Sequence, residues 1–369
     1  MESTELIILY CFFFLGMIAF SLLINSILYR FVKTLGTKNQ SGAVVVRWSE
    51  QTKPAIGGLT FYIVFLISIV SYAIIFDPGF LFTDTSILGL FVAGTLGFIL
   101  GLTDDAYNTR PILKLIVQIL CGVILTLTNT RIELFEIEIL NDVFTILWVV
   151  GIMNSINMLD NMDGVATSVT AFISVAALGY IIIHGDFLNF NFVIILGILA
   201  ALTGFLYYNW FPSKMFMGDT GSQFLGVFLG YIGIHYCWNA QDLSGTSDPL
   251  FSIVTLLLVF ILPIIDTTTV TINRLRRGQS PFVGGKDHTT HNLSYLGYSD
   301  NQVVGIFCGI GALSVIFYLL FITFVDSLSY FRIFLGITYF LFIFILLFGI
   351  TEYNKRMNNG VHQVEHKVD

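Results

Sequence analysis

Residues 6–28 read LIILYCFFFLGMIAFSLLINSIL, a predominantly apolar run of 23 residues with no charged side chain. At a rise of about 1.5 Å per residue, a helix of this length crosses the hydrocarbon core of a bilayer. The run is too long for a signal-peptide core, follows acidic rather than basic residues, and has no small-residue cleavage site. It is therefore predicted to remain in the protein as the first membrane span.

Similar apolar runs recur along the whole chain. Of the 369 residues, 56% are hydrophobic and 11% are charged, and the mean hydropathy is +0.84, far more apolar than a soluble domain. Eleven spanning helices are predicted, near residues 6–29, 55–76, 86–103, 112–128, 143–158, 165–184, 192–208, 222–238, 250–271, 302–325 and 331–351. No long polar stretch separates them. Residues 1–369 are thus predicted to form a single all-α transmembrane domain, with residues 352–369 as a mobile cytoplasmic tail.

Basic residues give the orientation of these spans, because cytoplasmic loops retain Lys and Arg and translocated loops do not. With the N-terminus outside, fifteen of the seventeen basic residues fall on inside segments, and only Arg131 and Arg332 fall outside. The prediction is an odd number of spans with a cytoplasmic C-terminus. The short span 143–158 is the least secure, and its loss would invert everything after it.

Charge and cysteine content exclude several classes of protein. A net charge of −7 and a pI near 5.3 do not fit the basic patch of a nucleic-acid-binding protein. The sequence has no GxxxxGK[ST] motif, which excludes a P-loop nucleotide site. The cysteines stand singly, without a CxxC pattern, and are interpreted as packing residues. They are Cys11, Cys121, Cys237 and Cys308.

Acidic residues near a bilayer are costly unless they face water or carry function, and five of them gather on predicted inside loops. They are Asp104, Asp105, Asp160, Asp163 and Asp219. Any one alone could be a helix cap, but five on one membrane face repel one another and need a cation. Mg²⁺ is the natural hard divalent ion, with Mn²⁺ as an alternative. Asn157, Asp160 and Asp163 share one helical face if the fifth span stays helical to its end.

Glycines close to these polar groups have two interpretations, which the sequence leaves open. Glycine lets a backbone approach a phosphate closely, and it is also a common packing residue of membrane helices. The glycines concerned are Gly57, Gly58, Gly164, Gly218, Gly221, Gly284 and Gly285.

Five motifs follow one another along the chain. They are KPAIGG at 53–58, GLTDD at 101–105 with Lys114 and Gln118 after it, NxxNxxDxxDG at 154–164, YNWFPSKMFMGDTGS at 208–222 and GGKDHxxH at 284–291. With these motifs in this order, nearly the whole chain resembles the polyprenyl-phosphate N-acetylhexosamine-1-phosphate transferases, a superfamily that includes the MraY and WecA types. Each motif alone is weak, whereas five in the family's order are specific.

The resemblance, which is greatest to the WecA type, implies a Mg-dependent transferase of the bacterial inner membrane. Its members move a sugar-1-phosphate, here N-acetylglucosamine-1-phosphate or a related N-acetylhexosamine-1-phosphate, from a UDP-sugar to undecaprenyl phosphate. The reaction releases UMP on the cytoplasmic face and starts a cell-envelope glycan. A homodimer is left open as the assembly. The runner-up is an MraY-like phospho-N-acetylmuramoyl-pentapeptide transferase.

The resemblance also implies roles for single residues. Asp219 and Asn157 match the family's Mg²⁺ ligands, with the donor diphosphate completing the metal's shell. Asp104 and Asp105 match the pair beside the lipid phosphate. The donor side is matched by the carboxylates Asp160 and Asp163, by Phe216 stacking on uracil, by Asn209 near the nucleoside and by Lys53 near a phosphate.

The last inside loop, at 276–291, corresponds to the place where family members recognise the donor sugar. Its His288-Thr-Thr-His291 spacing differs from the denser histidine cluster of the WecA type and from the MraY histidine triplet. The two histidines are interpreted as a structural pair, as zinc ligands, or, in the favoured hypothesis, as hydrogen-bond donors to the donor substrate together with Arg276 and Arg277.

Two rival classes and one mechanistic alternative complete the predictions. A secondary transporter would place its charges near the bilayer midplane within repeated halves, whereas here they lie at one interface. A structural membrane protein would use the aspartates only as helix caps. Within the transferase hypothesis, a single displacement with Asp104 orienting the acceptor is favoured over an aspartyl-phosphate intermediate.

Overall fold

The computed structural model describes residues 3–35, 53–76, 84–245, 248–280, 285–323 and 329–365. The chain is helical through most of these ranges, and a π-helical turn at Ile234–Trp238 extends the eighth helix. The helices are α1 (Ser3–Leu35), α2 (Gly57–Ile75), α3 (Thr85–Tyr107), α4 (Pro111–Leu127), α5 (Glu138–Leu159), α6 (Val165–Ile183), α7 (Phe190–Asn209), α8 (Gly218–Gly233), α9 (Pro249–Val259), α10 (Ile261–Arg276), α11 (Thr289–Tyr295), α12 (Asp300–Thr323) and α13 (Ser329–Glu365).

Eight helices in the described part of the chain are long and apolar enough to cross a membrane, or nine if α9 and α10 form one broken span. Helices α4 and α8 are shorter, with 17 and 16 residues. Every predicted apolar run contains a helix, so the all-α, polytopic membrane fold is confirmed. The count of eleven spans and the orientation of the termini stay predictions.

The prediction of one helix over residues 250–271 is wrong. Helix α9 ends at Val259, and the chain bends by 84° before α10 begins. Pro263 explains the break, because it has no amide hydrogen for the Val259 carbonyl and its ring clashes with that carbonyl in a straight helix. The Ser155 hydroxyl donates to the Pro263 carbonyl at 3.0 Å. This hydrogen bond ties the bend to α5.

Helix α8 lies at the centre of the bundle. Every residue from Thr220 to Gly233 is buried, and the helix packs against α2, α3 and α5. Its first turn is approached very closely by two neighbouring backbones: a Cβ added at Gly58 would lie 2.2 Å from the Gly221 nitrogen, and one at Gly101 would lie 2.1 Å from the Asp219 carbonyl oxygen. For Gly58 and Gly221, therefore, the packing interpretation applies.

The end of α5 differs from the helical face predicted for Asn157, Asp160 and Asp163. The helix ends at Leu159, and the side-chain amide of Asn161 donates to a carbonyl of its last turn at 2.7 Å, a local bond that competes with further helix. The three side chains still lie at the same end of the bundle, but the turn after α5 brings them there.

The last helix runs past the predicted start of the tail. Helix α13 continues to Glu365, so the boundary at Glu352 lies inside it. The side chain of Asn354 is buried and donates to the Asn292 carbonyl at 2.7 Å. Residues 366–369 of the predicted tail lie outside the described residues.

Candidate active site

A cavity of about 490 Å³ lies at one end of the bundle, where α3 and α5 end and where α2, α8 and α12 begin. Its wall brings together seven of the predicted site residues. They are Lys53, Asp105, Asp160, Asp163, Phe216, Asp219 and His291. The site motifs of the sequence therefore converge on a single cavity.

Asp219 lies in the first turn of α8 and is held from α5. The Asn157 Nδ2 donates to the Asp219 Oδ1 at 2.8 Å and to the Ser222 Oγ at 2.9 Å. Both bonds use the nitrogen of the Asn157 amide, so its oxygen makes no described hydrogen bond, although Asn157 itself is not among the residues that line the cavity. The two predicted metal ligands are thus adjacent and joined by a hydrogen bond.

Asp105, at the end of α3, caps the N-terminus of α8. Its Oδ1 accepts from the Asp219 backbone nitrogen at 3.0 Å, and its Oδ2 accepts from the Thr220 nitrogen at 2.8 Å and the Thr220 hydroxyl at 2.7 Å. A carboxylate is favourable there, because the first amide groups of a helix lack intrahelical partners and carry partial positive charge. Asp105 therefore fixes the position of Asp219 as well as lining the cavity.

Asp104 lies one layer behind the cavity wall. It is buried, its Oδ1 accepts from the Thr109 nitrogen and hydroxyl at 2.8 Å each, and its Oδ2 forms an ion pair with Lys114. The Lys114 Nζ also lies 3.6 Å from the Asp219 Oδ2. Asp104 thus holds the ammonium group that neighbours Asp219 and does not itself line the cavity, while its place beside the lipid phosphate stays a prediction.

Lys53 and Asp163 face each other across the loop that precedes α8. The Lys53 Nζ lies 3.5 Å from the Asp163 Oδ2 and 5.1 Å from the centre of the Phe216 ring. Ser213 joins the pair: its hydroxyl accepts from Lys53 at 3.0 Å, and its hydroxyl and backbone nitrogen each donate to Asp163 at 2.8 Å. An aromatic face next to a cation and a carboxylate suits a planar base attached to phosphates.

Asp160 follows the last residue of α5 and is only partly accessible from the cavity. Burial, together with smaller effects from the neighbouring carboxylates of Asp219, Asp105 and Asp163, raises the pKa of its carboxyl to about 8. Uncompensated negative charge is therefore a property of this cavity. A cation bound there would relieve it.

The charge balance fits a bound divalent cation. Among the described ion pairs, those of the five predicted aspartates involve two cations, the ammonium groups of Lys53 and Lys114. Yet no three His, Cys, Asp or Glu side chains of the described residues are close enough to hold a metal ion by themselves. Mg²⁺ usually takes only one or two protein carboxylates and completes its shell with water and substrate phosphates. The donor set present, Asp219 with the Asn157 amide, matches that pattern.

Asn209 and Arg276 do not line the cavity, and the donor roles predicted for them stay predictions. Asn209 is buried at the end of α7, where its carbonyl accepts from Gly164 and Thr167 and its amide donates to the Met215 carbonyl at 3.1 Å. Arg276 points away and pairs with Glu352 at 3.0 Å. Asn209 thus shapes the surrounding loops, and Arg276 ties α10 to α13.

Arg277 lines a second cavity of about 570 Å³, together with Arg274 and Lys286. Both arginines pair with Asp287, with 2.8 Å between Arg274 Nη2 and Asp287 Oδ1. These arginine contacts hold the pKa of the Asp287 carboxyl below its usual value, despite the opposing effect of burial. Arg277 is therefore near the last loop, as predicted, but its guanidinium is engaged by a carboxylate.

The two histidines have different surroundings. The His288 Nδ1 lies 2.8 Å from the Asp266 Oδ2, and the other oxygen of Asp266 accepts from the backbone and hydroxyl of Thr289. His288 is thus held by α10, while His291 lines the main cavity. Burial, with a smaller effect from His288, lowers the pKa of His291 to about 4, so this imidazole is neutral at pH 7.

Sequence reasoning did not single out several residues of this site. Ser213 lies inside the fourth motif and links Lys53 to Asp163. Asp266 is fully buried and holds His288 and the start of α11. A signal for Asp266 was present, because a carboxylate within an apolar run such as 250–271 is costly and usually functional. Asp300 also lines the cavity, beyond the last motif.

Comparison with known proteins agrees with this geometry. The sequence profile of glycosyl transferase family 4 matches residues 87–236, which include all five predicted aspartates together with Asn157. The decaprenyl-phosphate N-acetylglucosaminephosphotransferase of Mycolicibacterium smegmatis is 31% identical over 300 residues, which cover 73% of each chain. The chain belongs to glycosyl transferase family 4.

Two further relatives carry the names of the two predicted branches. The probable undecaprenyl-phosphate N-acetylglucosaminyl 1-phosphate transferase of Bacillus subtilis is 28% identical over 302 residues, covering 79% of this chain and 78% of the relative. The phospho-N-acetylmuramoyl-pentapeptide-transferase of Campylobacter jejuni, strain 81116, is 30% identical over 243 residues, covering 56% of this chain and 68% of the relative.

Proposed function

We propose that this protein transfers N-acetylglucosamine-1-phosphate, or a related N-acetylhexosamine-1-phosphate, from a UDP-sugar to undecaprenyl phosphate on the cytoplasmic face of a bacterial inner membrane. The observation that carries the proposal is the cavity at one end of the bundle, which is lined by five aspartates, a lysine and the Phe216 ring. The names of the Bacillus and Mycolicibacterium relatives support a polyprenyl-phosphate acceptor and an N-acetylglucosamine phosphate group.

The reaction is a displacement at phosphorus. An oxygen of the lipid phosphate forms a bond to the β-phosphorus of the UDP-sugar, the bond from that phosphorus to the bridging oxygen breaks, and UMP leaves with the electron pair. A phosphate monoester has a second pKa of about 6, so the acceptor is largely dianionic at neutral pH. Positioning and charge neutralisation, rather than a strong general base, then supply most of the rate.

The contacts of the aspartates support a single displacement. Both oxygens of Asp105 accept hydrogen bonds from the start of α8, and Asp104 is paired with Lys114 behind the wall. A carboxylate engaged in this way is a poor nucleophile, which speaks against an aspartyl-phosphate intermediate. Lys53, beside the Phe216 ring, is placed to neutralise a donor phosphate.

Mg²⁺, with Mn²⁺ as an alternative, is proposed as the cofactor. Asp219 and the amide oxygen of Asn157 would hold it, and when bound it would neutralise charge on the donor diphosphate. Asp105 keeps the Asp219 carboxylate in place through the cap on α8, and Lys114 lies on its other side. These contacts hold the Asp219 carboxylate in the position it has in this structure.

Detergent-purified protein incubated with undecaprenyl phosphate and a panel of UDP-sugars would test the proposal. The panel contains UDP-N-acetylglucosamine, UDP-N-acetylgalactosamine and UDP-N-acetylmuramoyl-pentapeptide, and the measurement is UMP release together with the extracted lipid product. We expect release with an N-acetylhexosamine donor. Turnover of the pentapeptide donor alone would favour the branch of the Campylobacter relative. If none of the three donors led to UMP release, the proposal would be contradicted.

A further inference from the structure

Three amide side chains meet in the interior of the bundle between α4, α5 and α8. The Gln118 Nε2 donates to the Gln223 Oε1 at 3.1 Å and to the Asn154 Oδ1 at 3.3 Å, and the Asn154 Nδ2 donates back to the Gln118 Oε1 at 2.9 Å. Gln118 and Gln223 are each only 2% exposed. We refer to Gln118, Asn154 and Gln223 as the amide cluster.

Each member of the amide cluster lies one helical turn below a residue of the candidate site on the same helix. The pairs are Lys114 and Gln118 on α4, Asn157 and Asn154 on α5, and Asp219 and Gln223 on α8. Residues three or four apart lie on the same face of a helix. The three helices therefore touch in two successive polar layers, the amide cluster below and the site residues above it.

The upper layer is more exposed than the lower one. Asn157 donates to Asp219 at 2.8 Å and to Ser222 at 2.9 Å, and the Lys114 Nζ stands 3.6 Å from the Asp219 carboxylate. The side chains of Lys114 and Asp219 are 27% and 32% exposed, so water, a cation or a substrate can compete for these contacts. The upper layer therefore does not by itself fix how α4, α5 and α8 stand relative to one another.

The lower layer has the properties needed to fix them. An amide buried among apolar side chains is costly without a partner, and its hydrogen bonds are directional. Apolar surfaces in a membrane pack almost equally well after a small slide or rotation, because lipid is as apolar as the helices. A slide of one turn, about 5.4 Å, would break every bond of the amide cluster at once.

We infer that the amide cluster is a positioning device for the transferase site, in which Gln118 sets the register of α4, α5 and α8 so that Lys114, Asn157 and Asp219 meet at the cavity. The activity readout of this inference rests on the proposed function. The members of the amide cluster touch neither substrate nor metal and act only through the residues one turn above them.

The alternative is that the amide cluster merely stabilises the fold. Methionine replaces glutamine at nearly the same length without its hydrogen bonds. Gln118→Met removes the hydrogen bonds that Gln118 makes to Asn154 and Gln223. It should therefore lower the midpoint of thermal unfolding. The double variant Gln118→Met/Gln223→Met removes both partners of the 3.1 Å bond, a change that is often nearly neutral for stability, while Asn154 keeps its donation to the Val150 carbonyl at 2.8 Å. If the amide cluster only stabilises the fold, turnover of the double variant should recover. If it positions the site, turnover should stay low.

Turnover and donor KM are measured for wild type, both variants and the control Tyr231→Phe, which removes a buried 3.1 Å hydrogen bond from α8 to Asn191 near the other end of that helix. We expect kcat to fall at least tenfold in Gln118→Met and to stay low in the double variant although its unfolding midpoint recovers. Tyr231→Phe should stay within about twofold of wild type. Recovery of kcat with stability in the double variant would overturn the inference.

A second measurement does not depend on turnover. The stability coupling between Asn157 and Asp219 is obtained from a double-mutant cycle of alanine variants, once in the wild-type background and once with Gln118→Met/Gln223→Met. We expect a measurable coupling in the first background and its loss in the second. Equal coupling in both would refute the inference even if no UDP-sugar were turned over, an outcome that would count separately against the proposed function.

Discussion

Asp219 is the side chain on which the contacts of the cavity converge, since Asn157 donates to it, Lys114 lies beside it and Asp105 caps the turn that carries it. Asp219→Ala should abolish turnover while the protein still inserts and purifies, because the donor diphosphate would lose a metal ligand among the remaining carboxylates. EDTA should reproduce the loss and Mg²⁺ should reverse it in the wild type. Turnover that persists both in Asp219→Ala and in wild type treated with EDTA would refute the metal site.

Asp160 provides a pH dependence of stability. Its pKa is raised to about 8 by burial and by the neighbouring carboxylates, whereas the unfolded chain has the ordinary value of about 3.9. Between these values the folded state holds a proton that the unfolded state has lost, so the free energy of unfolding falls as pH rises. Asp160→Asn removes this effect. In EDTA, its unfolding midpoint should exceed that of wild type by more at pH 8 than at pH 5.

An equal difference at the two pH values would show that Asp160 does not titrate in this way. Mg²⁺ offers a further control, because a bound cation should lower the pKa of Asp160 and so reduce the advantage of the variant at pH 8.

His291 lines the cavity as a neutral imidazole. A hydrogen bond from it to the charged donor is worth about 1.5 to 3 kcal/mol, which is roughly tenfold or more in rate if the bond is made in the transition state. His291→Ala should lower turnover at least tenfold with little change in thermal stability. The control is His184→Ala, at the far end of α6. Wild-type activity in His291→Ala, or a loss of activity explained by unfolding, would refute the donor contact of His291.

The sequence placed these residues at the cavity because carboxylates and histidines within apolar surroundings are costly and therefore informative. It could not show how each one is used. Asn209 belongs to the same motif as Asp219, yet its side-chain amide is hydrogen-bonded to the Gly164 nitrogen, the Thr167 hydroxyl and the Met215 carbonyl. Arg276 and Arg277 are neighbours in sequence, but one pairs with Glu352 and the other with Asp287. Partners supplied by distant segments decide these roles, and a single sequence does not contain them.

At the scale of helices, the approach of α3 to the start of α8 depends on Gly101. A Cβ there would lie 2.1 Å from the Asp219 carbonyl oxygen, so Gly101→Ala must push the two backbones apart. Overpacking of this kind costs about 1 to 3 kcal/mol, and it moves the turn that carries Asp219. Turnover should fall at least tenfold.

Gly151→Ala is the matched control for this prediction, because Gly151 is also helical and a Cβ there meets nothing within 4 Å. Alanine has the higher helix propensity, so this variant should be as stable as wild type or more stable. Equal turnover of the two glycine variants would contradict the argument that Gly101 sets the spacing of α3 and α8.

The helices were predicted best where a long apolar run met a clear end. The break between α9 and α10 was missed although Pro263 marks it, because the composition of 250–271 is that of one span. The end of α5 was missed for a different reason. The Asn161 side chain replaces the next helical bond, and such local competition is not visible in apolar periodicity.

At the scale of the molecule, the described charges of the site lie at helix ends on one side of the bundle, rather than halfway along helices as in a transporter. The two ends are distinct. Lys114 and Asp219 lie close together at the cavity end. Asn239 and Arg131 lie at the opposite end, where the Asn239 amide donates to the Arg131 carbonyl. Two of the chain's basic residues, Arg131 and Arg332, were predicted to face the outside, and the first of these lies at the end opposite the cavity.

The course of the chain links the cavity to the C-terminus. Helix α1 has Tyr10 bonded to the Phe187 carbonyl at the end away from the cavity, whereas α13 reaches Asn292, beside the His291 of the cavity, through Asn354. The C-terminal part of α13 therefore lies on the side of the cavity. A UDP-sugar is a cytoplasmic donor, so the proposed function requires this side to be cytoplasmic.

A reporter fused after Asp369 should therefore be cytoplasmic, and one inserted in the loop 239–249 should be on the opposite side, because basic residues are retained on the inside. The measurement is the activity of paired reporters that work on only one side of the membrane. Two reporters on the same side would mean that a span between them is miscounted. A C-terminal reporter outside, with the loop inside, would place the cavity away from cytoplasmic UDP-sugars and would contradict the orientation and the proposed donor together.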